Sequence, residues 1–386
     1  MKQIYLDNAA TTKVDEKVLK AMLPYLKEEY GNASSTHVKG IEAKNALEKS
    51  RSIIAKAINA NKEEIIFTSG GTESNNFALK GLFFYNKDNN TGKNHIITTK
   101  IEHDCVLNTC KWLETQGAKV TYLDVDKEGF VNPDDVRKAI TDKTIVVSII
   151  HGNNEIGTIQ DLDAIGEICR RRKVLLHTDA CQSFTKVSID VKKQPIDLVT
   201  LNAHKIHGPK GVGALYIRRG ISITPLAHGG GHERNLRSGT ENIVGIVGFA
   251  KASEIIQGRD VKKMIILRDK LIDGILEIPD VKLNGPQENR LCNNANFLFE
   301  GLDGEAVGEY LEGLNIYTST GSACMSHSSG PSHVLMAIGR TKEQAGNSLR
   351  MSISKYTTEK EIKQVLYVLP KIVKRIKSAD KMFGRK

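Results

Sequence analysis

The chain has 386 residues, 40% of them hydrophobic, and its 55 lysines and arginines against 45 acidic residues give a formal net charge of +10. A chain of this length is expected to form two domains, and no apolar stretch approaches the length of a membrane span. Six cysteines without a C-x-x-C pair exclude a disulfide framework and a zinc ribbon, so we predict no metal site. The first residues form no apolar signal core, which predicts a cytoplasmic protein.

The first 260 residues alternate between short apolar runs and segments with helical periodicity. A short strand near residue 5 and helices at 16–29 and 41–58 come first. The strands that follow are predicted at 65–67, 95–99, 120–123, 144–150, 174–177, 198–201 and 214–217. The helices that accompany them are predicted at 72–84, 105–116, 133–140, 162–172 and 243–256. Strands that alternate with helices of this length predict a largely parallel sheet that is covered on both faces.

The pattern changes near residue 261 and predicts a smaller α+β domain. Its elements are predicted as helices at 262–276 and 305–311, strands at 281–283, 296–299, 316–317 and 348–353, and a long terminal helix. We predict a large domain at 13–260 and a small domain made of 1–12 and 261–386. The basic residues of the terminal helix form either a solvated face or an interaction surface.

Polar turns follow several predicted strands of the first domain, where α/β sheets bind ligands. The turn at 68–74 contains Gly71 and Thr72 before a helix, which indicates either a phosphate cradle or a capped turn. Asp179 ends another strand and could pair with a protonated ring nitrogen, or serve as a helix cap or salt-bridge partner. Asn154 could bind a phenolate oxygen or a carboxylate, or form an Asx turn.

Lys205 follows the strand at 198–201 and lies between His204 and His207. A buried lysine can carry a carbonyl cofactor as a Schiff base, although most lysines are solvated surface charges. A phosphate cradle, a carboxylate and a lysine are the three groups that anchor pyridoxal phosphate. Their presence at strand ends of one predicted sheet therefore favours that cofactor.

Cys324 lies in a polar, glycine-containing loop at 318–330. A reactive thiol needs exposure and access to a base, and this context favours a reactive cysteine over a buried one. Cys169, on an apolar helix, fits the buried alternative.

Several longer motifs make the chain recognisable. It resembles the cysteine desulfurases of the NifS/IscS type, which are fold-type I pyridoxal-phosphate enzymes of the class V aminotransferases. The resemblance extends from Tyr5-Leu-Asp-Asn-Ala-Ala-Thr-Thr12 to Tyr356-Thr-Thr358. Its most specific segments are Ser69-Gly-Gly-Thr-Glu-Ser-Asn-Asn76, Glu102-His103, Asn153-Asn-Glu-Ile-Gly157, His177-Thr-Asp-Ala-Cys-Gln182, Ala203-His-Lys-Ile-His-Gly-Pro-Lys-Gly211, Gly229-Gly-Gly-His-Glu-Arg-Asn-Leu-Arg-Ser-Gly-Thr240 and Ser319-Thr-Gly-Ser-Ala-Cys324.

The resemblance implies a mainly parallel seven-stranded sheet in the large domain and a role for each matching residue. Lys205 would form the Schiff base, and His103 would stack on the cofactor ring and act in acid–base steps. The remaining cofactor contacts would be Asp179 at the ring nitrogen, Gln182 at the ring oxygen, Gly71, Thr72 and His204 at the phosphate, and Thr240 at the phosphate of a neighbouring subunit. Asn154 and Arg350 would bind the substrate carboxylate, and Cys324 would be the nucleophile that takes up sulfur.

The implied protein is a homodimer that converts L-cysteine to L-alanine. It would pass persulfide sulfur to an iron–sulfur scaffold or to another acceptor, including one for tRNA thiolation. Neither a membrane nor direct nucleic-acid binding is expected. The alternatives are a selenocysteine lyase or related class V enzyme, and a basic scaffold of a sulfur-transfer complex. One departure concerns Asn202, because many relatives carry a phosphate-binding serine at this position; we expect retuned cofactor binding rather than its loss.

Overall fold

The computed structural model describes residues 3–320 and 330–382. Its elements are, in chain order, β1 (Ile4–Tyr5), α1 (Glu16–Lys27), α2 (Val38–Ala57), β2 (Ile65–Thr68), α3 (Gly71–Asp88), β3 (His95–Thr99), α4 (Asp104–Thr115), β4 (Lys119–Leu123), α5 (Pro133–Ala139), β5 (Thr144–Ser148), α6 (Leu162–Arg171), β6 (Leu175–Asp179), β7 (Leu198–Asn202), β8 (Gly213–Ile217), α7 (Ile243–Ile255), α8 (Gly258–Leu276), β9 (Val281–Leu283), β10 (Asn294–Phe299), α9 (Gly304–Glu312), β11 (Ile316–Tyr317), α10 (His333–Ala337), α11 (Lys342–Gly346), β12 (Ser348–Ser352) and α12 (Glu359–Met382).

The large sheet has seven strands in the order β2-β8-β7-β6-β5-β3-β4. Strand β8 runs antiparallel to both neighbours, β2 and β7, and the other adjacent pairs are parallel. The predicted α/β fold with a mainly parallel seven-stranded sheet is therefore confirmed. Because most of these strands are buried along their whole length, their sequences are apolar runs rather than alternating patterns.

Two apolar clusters involve the large sheet. One includes residues of α2, α6 and α7, and the other includes residues of α3 and α4. This arrangement leaves the turns after the parallel strands free to carry polar side chains at one edge.

A second sheet is formed by β9, β10 and β12, which pair antiparallel in the order β12-β10-β9. Beside it, β1 pairs with β11 in parallel. Ile4 and Leu6 belong to the same apolar cluster as residues of α8, α9 and α12. The start of the chain therefore packs with its C-terminal part, while the boundaries at residues 12 and 260 stay a prediction.

Two element limits differ from the sequence prediction. The strand predicted to reach residue 150 ends at Ser148, although the N–H groups of Ile149 and His151 still bond to the backbone carbonyls of His177 and Asp179 in the neighbouring β6. Helix α3 extends to Asp88, beyond the predicted end at 84. Its backbone hydrogen bonding continues to the C-cap residue Asn89, whose N–H bonds to the carbonyl of Tyr85. Among the residues described, no helix combines the length and apolarity needed to cross a membrane.

Candidate active site

A cavity of about 280 Å³ lies where the turns after the parallel strands meet the C-terminal part of the chain. It is lined by most of the residues predicted from the sequence, namely Gly71, Thr72, His103, Asn154, Asp179, Gln182, Asn202, His204, Lys205 and Arg350. The prediction that the turns converge is thus matched by the positions of these residues.

Lys205 follows β7 and reaches the start of the chain. Its Nζ donates to the backbone carbonyl of Ala10 at 2.7 Å and also to that of Ala9. The loop is tied to the same segment by Thr12, whose hydroxyl donates to the carbonyl of His204 and accepts the N–H of His207, both at 2.8 Å. The N-terminal segment therefore fixes the lysine loop.

Asp179 ends β6 as a buried carboxylate. One oxygen accepts the backbone N–H of Cys181 at 2.9 Å, and the other accepts the Asn75 side-chain amide at 2.6 Å. Bonds to both oxygens fix the orientation of the carboxylate on the cavity wall.

His103 is the N-cap of α4, and its Nδ1 accepts the backbone N–H of Cys105 at 3.1 Å. Because Nδ1 is an acceptor, the proton of the neutral ring lies on Nε2. Burial lowers the pKa of His103, which favours this neutral form. In this neutral form the ring offers its Nε2 N–H to the cavity.

The first turn of α3 lines one end of the cavity with Gly71 and Thr72. The first amides of a helix have no acceptor within the helix, and the helix dipole favours an anion there. A Cβ on Gly71 would lie 2.5 Å from Cys181 Sγ, so this close approach requires glycine. Burial and the nearby charge of Lys205 lower the pKa of His204 to about 3, which makes this histidine a neutral hydrogen-bond partner.

The opposite end of the cavity is formed by Arg350 and Asn154. The guanidinium donates to the Asn154 carbonyl at 3.0 Å and to Asp7 Oδ1 at 2.9 Å. Arg350 Nε and Asn154 Oδ1 are buried and have no hydrogen-bond partner among the residues described. The unpartnered Arg350 Nε–H can therefore donate to a small carboxylate at this end of the cavity.

Three predicted residues stand apart from the others: one is hydrogen-bonded within the chain, one lies outside the cavity, and one lies outside the described residues. Gln182 lines the cavity, but its amide donates to the carbonyl of Ala9 at 2.8 Å. Thr240 lies outside the Lys205 cavity, on an exposed turn that lines a separate hollow together with Ser69 and Arg237. Cys324 lies at 321–329, outside the residues that the structure describes.

The chemistry of the cavity fits pyridoxal phosphate. The buried side-chain atoms without a hydrogen-bond partner in the described part of the chain include four on its wall: Asn75 Oδ1, Asn154 Oδ1, Asn202 Oδ1 and Arg350 Nε. Such atoms are costly to bury unless a ligand or water satisfies them. An amine, a carboxylate and a helix N-terminus on the same wall match an aldehyde, a ring nitrogen and a phosphate.

The sequence did not predict several groups that shape the cavity. Asn75 and Cys105 contact Asp179 and His103, and both line the cavity. Glu155 is buried, accepts the Ser332 hydroxyl at 2.5 Å, and has a pKa that burial raises. The motifs at 69–76 and 153–157 contain Asn75 and Glu155, so these motifs were the available signal. Residues 3–320 and 330–382 contain no group of three metal-ligating side chains that could hold a metal.

Comparison with known proteins identifies the family. The model of the class V aminotransferases matches residues 4–365. The chain belongs to the class V aminotransferase family. This result, together with the mainly parallel seven-stranded sheet, confirms the fold-type I assignment.

Individual relatives within the class V aminotransferases are similar over nearly the whole chain. "Cysteine desulfurase IscS" of Methanosarcina thermophila is 50% identical over 380 residues, covering 98% of this chain and 93% of that protein. "Cysteine desulfurase IscS" of Dictyoglomus turgidum is 47% identical over 381 residues, covering 98% and 96%. The predicted resemblance to NifS/IscS-type proteins is thus confirmed.

Solved structures of the class V aminotransferases give the same result. A "NIFS-like protein" superposes with a TM-score of 0.90 at 39% identity, covering 97% of this chain and all (100%) of the other. A structure described as "SspA in complex with cysteine" has a TM-score of 0.83 at 38% identity, covering 92% of this chain and 100% of the other.

Proposed function

We propose that the protein is a pyridoxal-phosphate-dependent cysteine desulfurase that converts L-cysteine to L-alanine and transfers the sulfur as a persulfide on Cys324. The observation that carries the proposal is the single cavity in which Lys205, Asp179, His103 and Arg350 meet. The names of the relatives and the cysteine complex of a structural neighbour support it.

The proposed cofactor contacts are those that the family resemblance implies, and the position of these residues around one cavity supports them. Lys205 would hold the aldehyde, Asp179 the ring nitrogen, and His103 the face of the ring. The remaining contacts proposed are Gly71, Thr72, Asn202 and His204 at the phosphate and Gln182 and Asn154 near the ring oxygen. When bound, the cofactor supplies an electron sink that weakens bonds at the substrate carbon.

The substrate would be oriented by its carboxylate, which Arg350 and Asn154 bind at the far end of the cavity. The Cys324 sulfur attacks the sulfur of cysteine, so that an S–S bond forms while the substrate C–S bond breaks. The carbon that loses sulfur gains a proton, for which Lys205 and His103 are the proposed donors, and alanine leaves. The persulfide sulfur then passes to an acceptor protein, either an iron–sulfur scaffold or a tRNA-thiolation partner.

A homodimer would place Thr240 at the phosphate of the neighbouring subunit. Large apolar side chains that are exposed on and near α1 and α2 support an interface there: Leu19, Leu23, Leu26, Tyr30, Val38 and Ile41. The turn that carries Thr240 is also exposed, as a residue that serves a neighbouring subunit must be. We expect a soluble dimer in the cytoplasm.

The test is an assay of purified protein with L-cysteine and dithiothreitol, in which alanine and sulfide are both measured. The wild type should carry a visible cofactor band and form the two products in equal amounts. Lys205→Ala should lose the band, and Cys324→Ser should keep the band but lose sulfide formation. A Cys324→Ser protein with wild-type turnover would contradict the proposed role of this cysteine.

The alternative within the family is a selenocysteine lyase or related enzyme. Selenium is a better leaving group than sulfur, so such an activity would not need an attacking thiol. Turnover of L-selenocysteine that persists in Cys324→Ser, while cysteine turnover is absent in both proteins, would favour it. A basic scaffold without activity is disfavoured by the intact set of Lys205, Asp179 and Arg350.

A further inference from the structure

Asn75 is a fully buried amide in the second turn of α3, and the proposed reaction assigns it no role. Its Nδ2 donates to Asp179 Oδ2 at 2.6 Å and to Cys105 Sγ at 3.1 Å. The two hydrogens of the amide nitrogen are therefore both used. The opposite assignment of the amide would turn its oxygen towards the carboxylate, which repulsion between two acceptors excludes.

Cys105 extends this contact to His103. Its Sγ lies 3.1 Å from His103 Nδ1, and Nδ1 already accepts the Cys105 backbone N–H. Because Nδ1 is an acceptor, the thiol must be the donor in the sulfur contact. Burial raises the pKa of the Cys105 thiol to about 12, so the thiol keeps the proton that it donates.

The contacts form one continuous chain of hydrogen bonds, from the Asp179 carboxylate through Asn75 and Cys105 to the His103 ring. Asn75 lies on the helix whose first turn lines one end of the cavity. One amide thus connects the helix, the carboxylate and the imidazole. The amide hydrogens of Asn75 and the Cys105 thiol each have an acceptor in this network, whereas Asn75 Oδ1 has no partner among the residues described, so the network orients Asp179 and His103 through its donors.

We propose that Asn75 is a positioning residue that holds Asp179 and, through the Cys105 thiol, His103 in one fixed arrangement around the cofactor ring. The inference rests on the proposed function, because the ring is that of pyridoxal phosphate. Asn75 acts through its neighbours: without its amide, Asp179 loses a charge-assisted hydrogen bond and the thiol loses its donor.

The decisive variant is Asn75→Asp, which keeps the shape but replaces the donor with a second carboxylate beside Asp179. Two adjacent carboxylates share a proton, so the pH at which the visible cofactor band titrates should move by about one unit or more. The dissociation constant of pyridoxal phosphate should rise about tenfold to a hundredfold, since a charge-assisted bond is lost. Both are measured by titrating apoprotein with pyridoxal phosphate.

Asn76→Asp is the matched control. It adds the same charge on the next residue of the same helix, but within the described part of the chain the Asn76 amide bonds only to the Thr72 carbonyl of its own turn. This variant should bind pyridoxal phosphate within about threefold of the wild type, because a change outside the network is close to neutral. Thermal unfolding of the apoproteins shows whether each variant is folded.

A second pair tests the thiol without changing Asn75. Cys105→Ser keeps a donor for His103 Nδ1 and should retain the wild-type pH profile, whereas Cys105→Val should shift it. This pair decides the question if Asn75→Asp does not fold. Wild-type protein that binds pyridoxal phosphate, together with Asn75→Asp and Cys105→Val proteins that match its affinity and pH profile, would overturn the role of the network and leave the proposed function intact. Failure of the wild type to bind the cofactor would overturn both.

Discussion

Glu102 is a buried carboxyl next to His103 in the sequence. Its two oxygens differ in their hydrogen bonding. Oε1 accepts the Thr99 hydroxyl at 2.8 Å and the Ile150 N–H at 2.9 Å. Oε2 is buried and has no partner among the residues described. Burial raises the pKa of Glu102 from 4.5 to about 8, because the charged form lacks hydration.

The raised pKa gives a prediction for stability. Because folded Glu102 retains its proton and the unfolded residue does not, the folded state binds more protons between pH 4.5 and about 8. Its contribution to stability is therefore fully present below pH 4.5 and is lost as pH rises through 8. The glutamine in Glu102→Gln cannot ionise. The free energy of unfolding of this variant, relative to that of the wild type, should therefore increase by about 2–4 kcal/mol from pH 5 to pH 8.

Urea unfolding of the apoproteins at both pH values checks this prediction. The difference between variant and wild type is the relevant quantity, since other groups titrate in both proteins. A difference that is the same at pH 5 and pH 8 would show that folded Glu102 ionises normally.

Asn202 gives a second prediction at the residue scale. Its side chain is buried on the cavity wall, and its Oδ1 lacks a partner in the described part of the chain. If its amide donates to the cofactor phosphate, Asn202→Ala should weaken pyridoxal phosphate binding by about fivefold to tenfold, the effect of one hydrogen bond. Asn202→Ser retains a donor and should stay close to the wild type. Equal affinity of the alanine variant, measured by equilibrium titration, would remove Asn202 from the phosphate site.

At this scale the sequence could predict side chains with distinctive chemistry but not backbone groups. Lys205 and Asp179 were predicted because they lie at the ends of strands and in recognisable motifs, whereas Arg350 was predicted because the resemblance to the family implied its role. The carbonyls of Ala9 and Ala10, which accept the Lys205 amine, carry no signal because every residue has a carbonyl. Asn75 was missed because the presence of an asparagine in a helix does not indicate which distant residue its side chain contacts.

At the scale of elements, the turn Glu233–Asn235 depends on a buried ion pair. Its three residues have positive φ angles of 45°, 57° and 65°, which are strained for residues other than glycine. The Glu233 carboxylate accepts two bonds from Arg51 of α2, at 2.6 and 2.8 Å, and the N–H of Phe67 in β2 at 2.8 Å. The pair thus anchors the segment that leads to Thr240.

Glu233→Gln should destabilise the protein by about 3–5 kcal/mol, because the buried Arg51 charge then loses its buried carboxylate partner and keeps the partly exposed Glu48. The matched control is Glu48→Gln, which removes a partly exposed partner of the same arginine and should cost at most about 1 kcal/mol. Denaturant unfolding measures both. The double variant Arg51→Met/Glu233→Leu should recover much of the loss, and additive losses would contradict the pairing.

Periodicity predicted most of the large sheet and its helices, since apolar strands and amphipathic helices leave different patterns. It could not predict that β8 is inserted between β2 and β7, because strand order is decided by tertiary packing. The ion pair of Arg51 and Glu233 was equally hidden, because 182 residues separate the partners along the chain.

At the scale of the whole molecule, the first residues connect the three-stranded antiparallel sheet with the Lys205 loop of the large sheet. Asn8 donates to the Ser352 carbonyl of β12 at 2.8 Å, and the N–H of Ala9 bonds to the Ser352 hydroxyl at 2.8 Å. The next residues bind the Lys205 loop. The resemblance of the N-terminal motif to the family signalled its importance, but its position between the sheets follows only from the fold.

Asp7 places one end of the chain against the other inside the active site. Its Oδ1 accepts Arg350 Nη2 at 2.9 Å across 343 residues of sequence, and Arg350 Nε remains for a ligand. Asp7→Asn keeps an acceptor but removes the charge that orients the guanidinium. In the proposed desulfurase reaction the KM for L-cysteine should then rise about fivefold to tenfold, with kcat changed less, because a charge-assisted contact is weakened.

The control is Asp124→Asn, which removes the same charge from an exposed pair with Lys100 and should leave both constants unchanged. Steady-state rates of alanine formation give KM and kcat for each protein. A fall in kcat at constant KM would mean that Asp7 acts in the chemical step and not through Arg350. A rise in KM alone would show that the two ends of the chain must meet before the substrate carboxylate can be bound tightly.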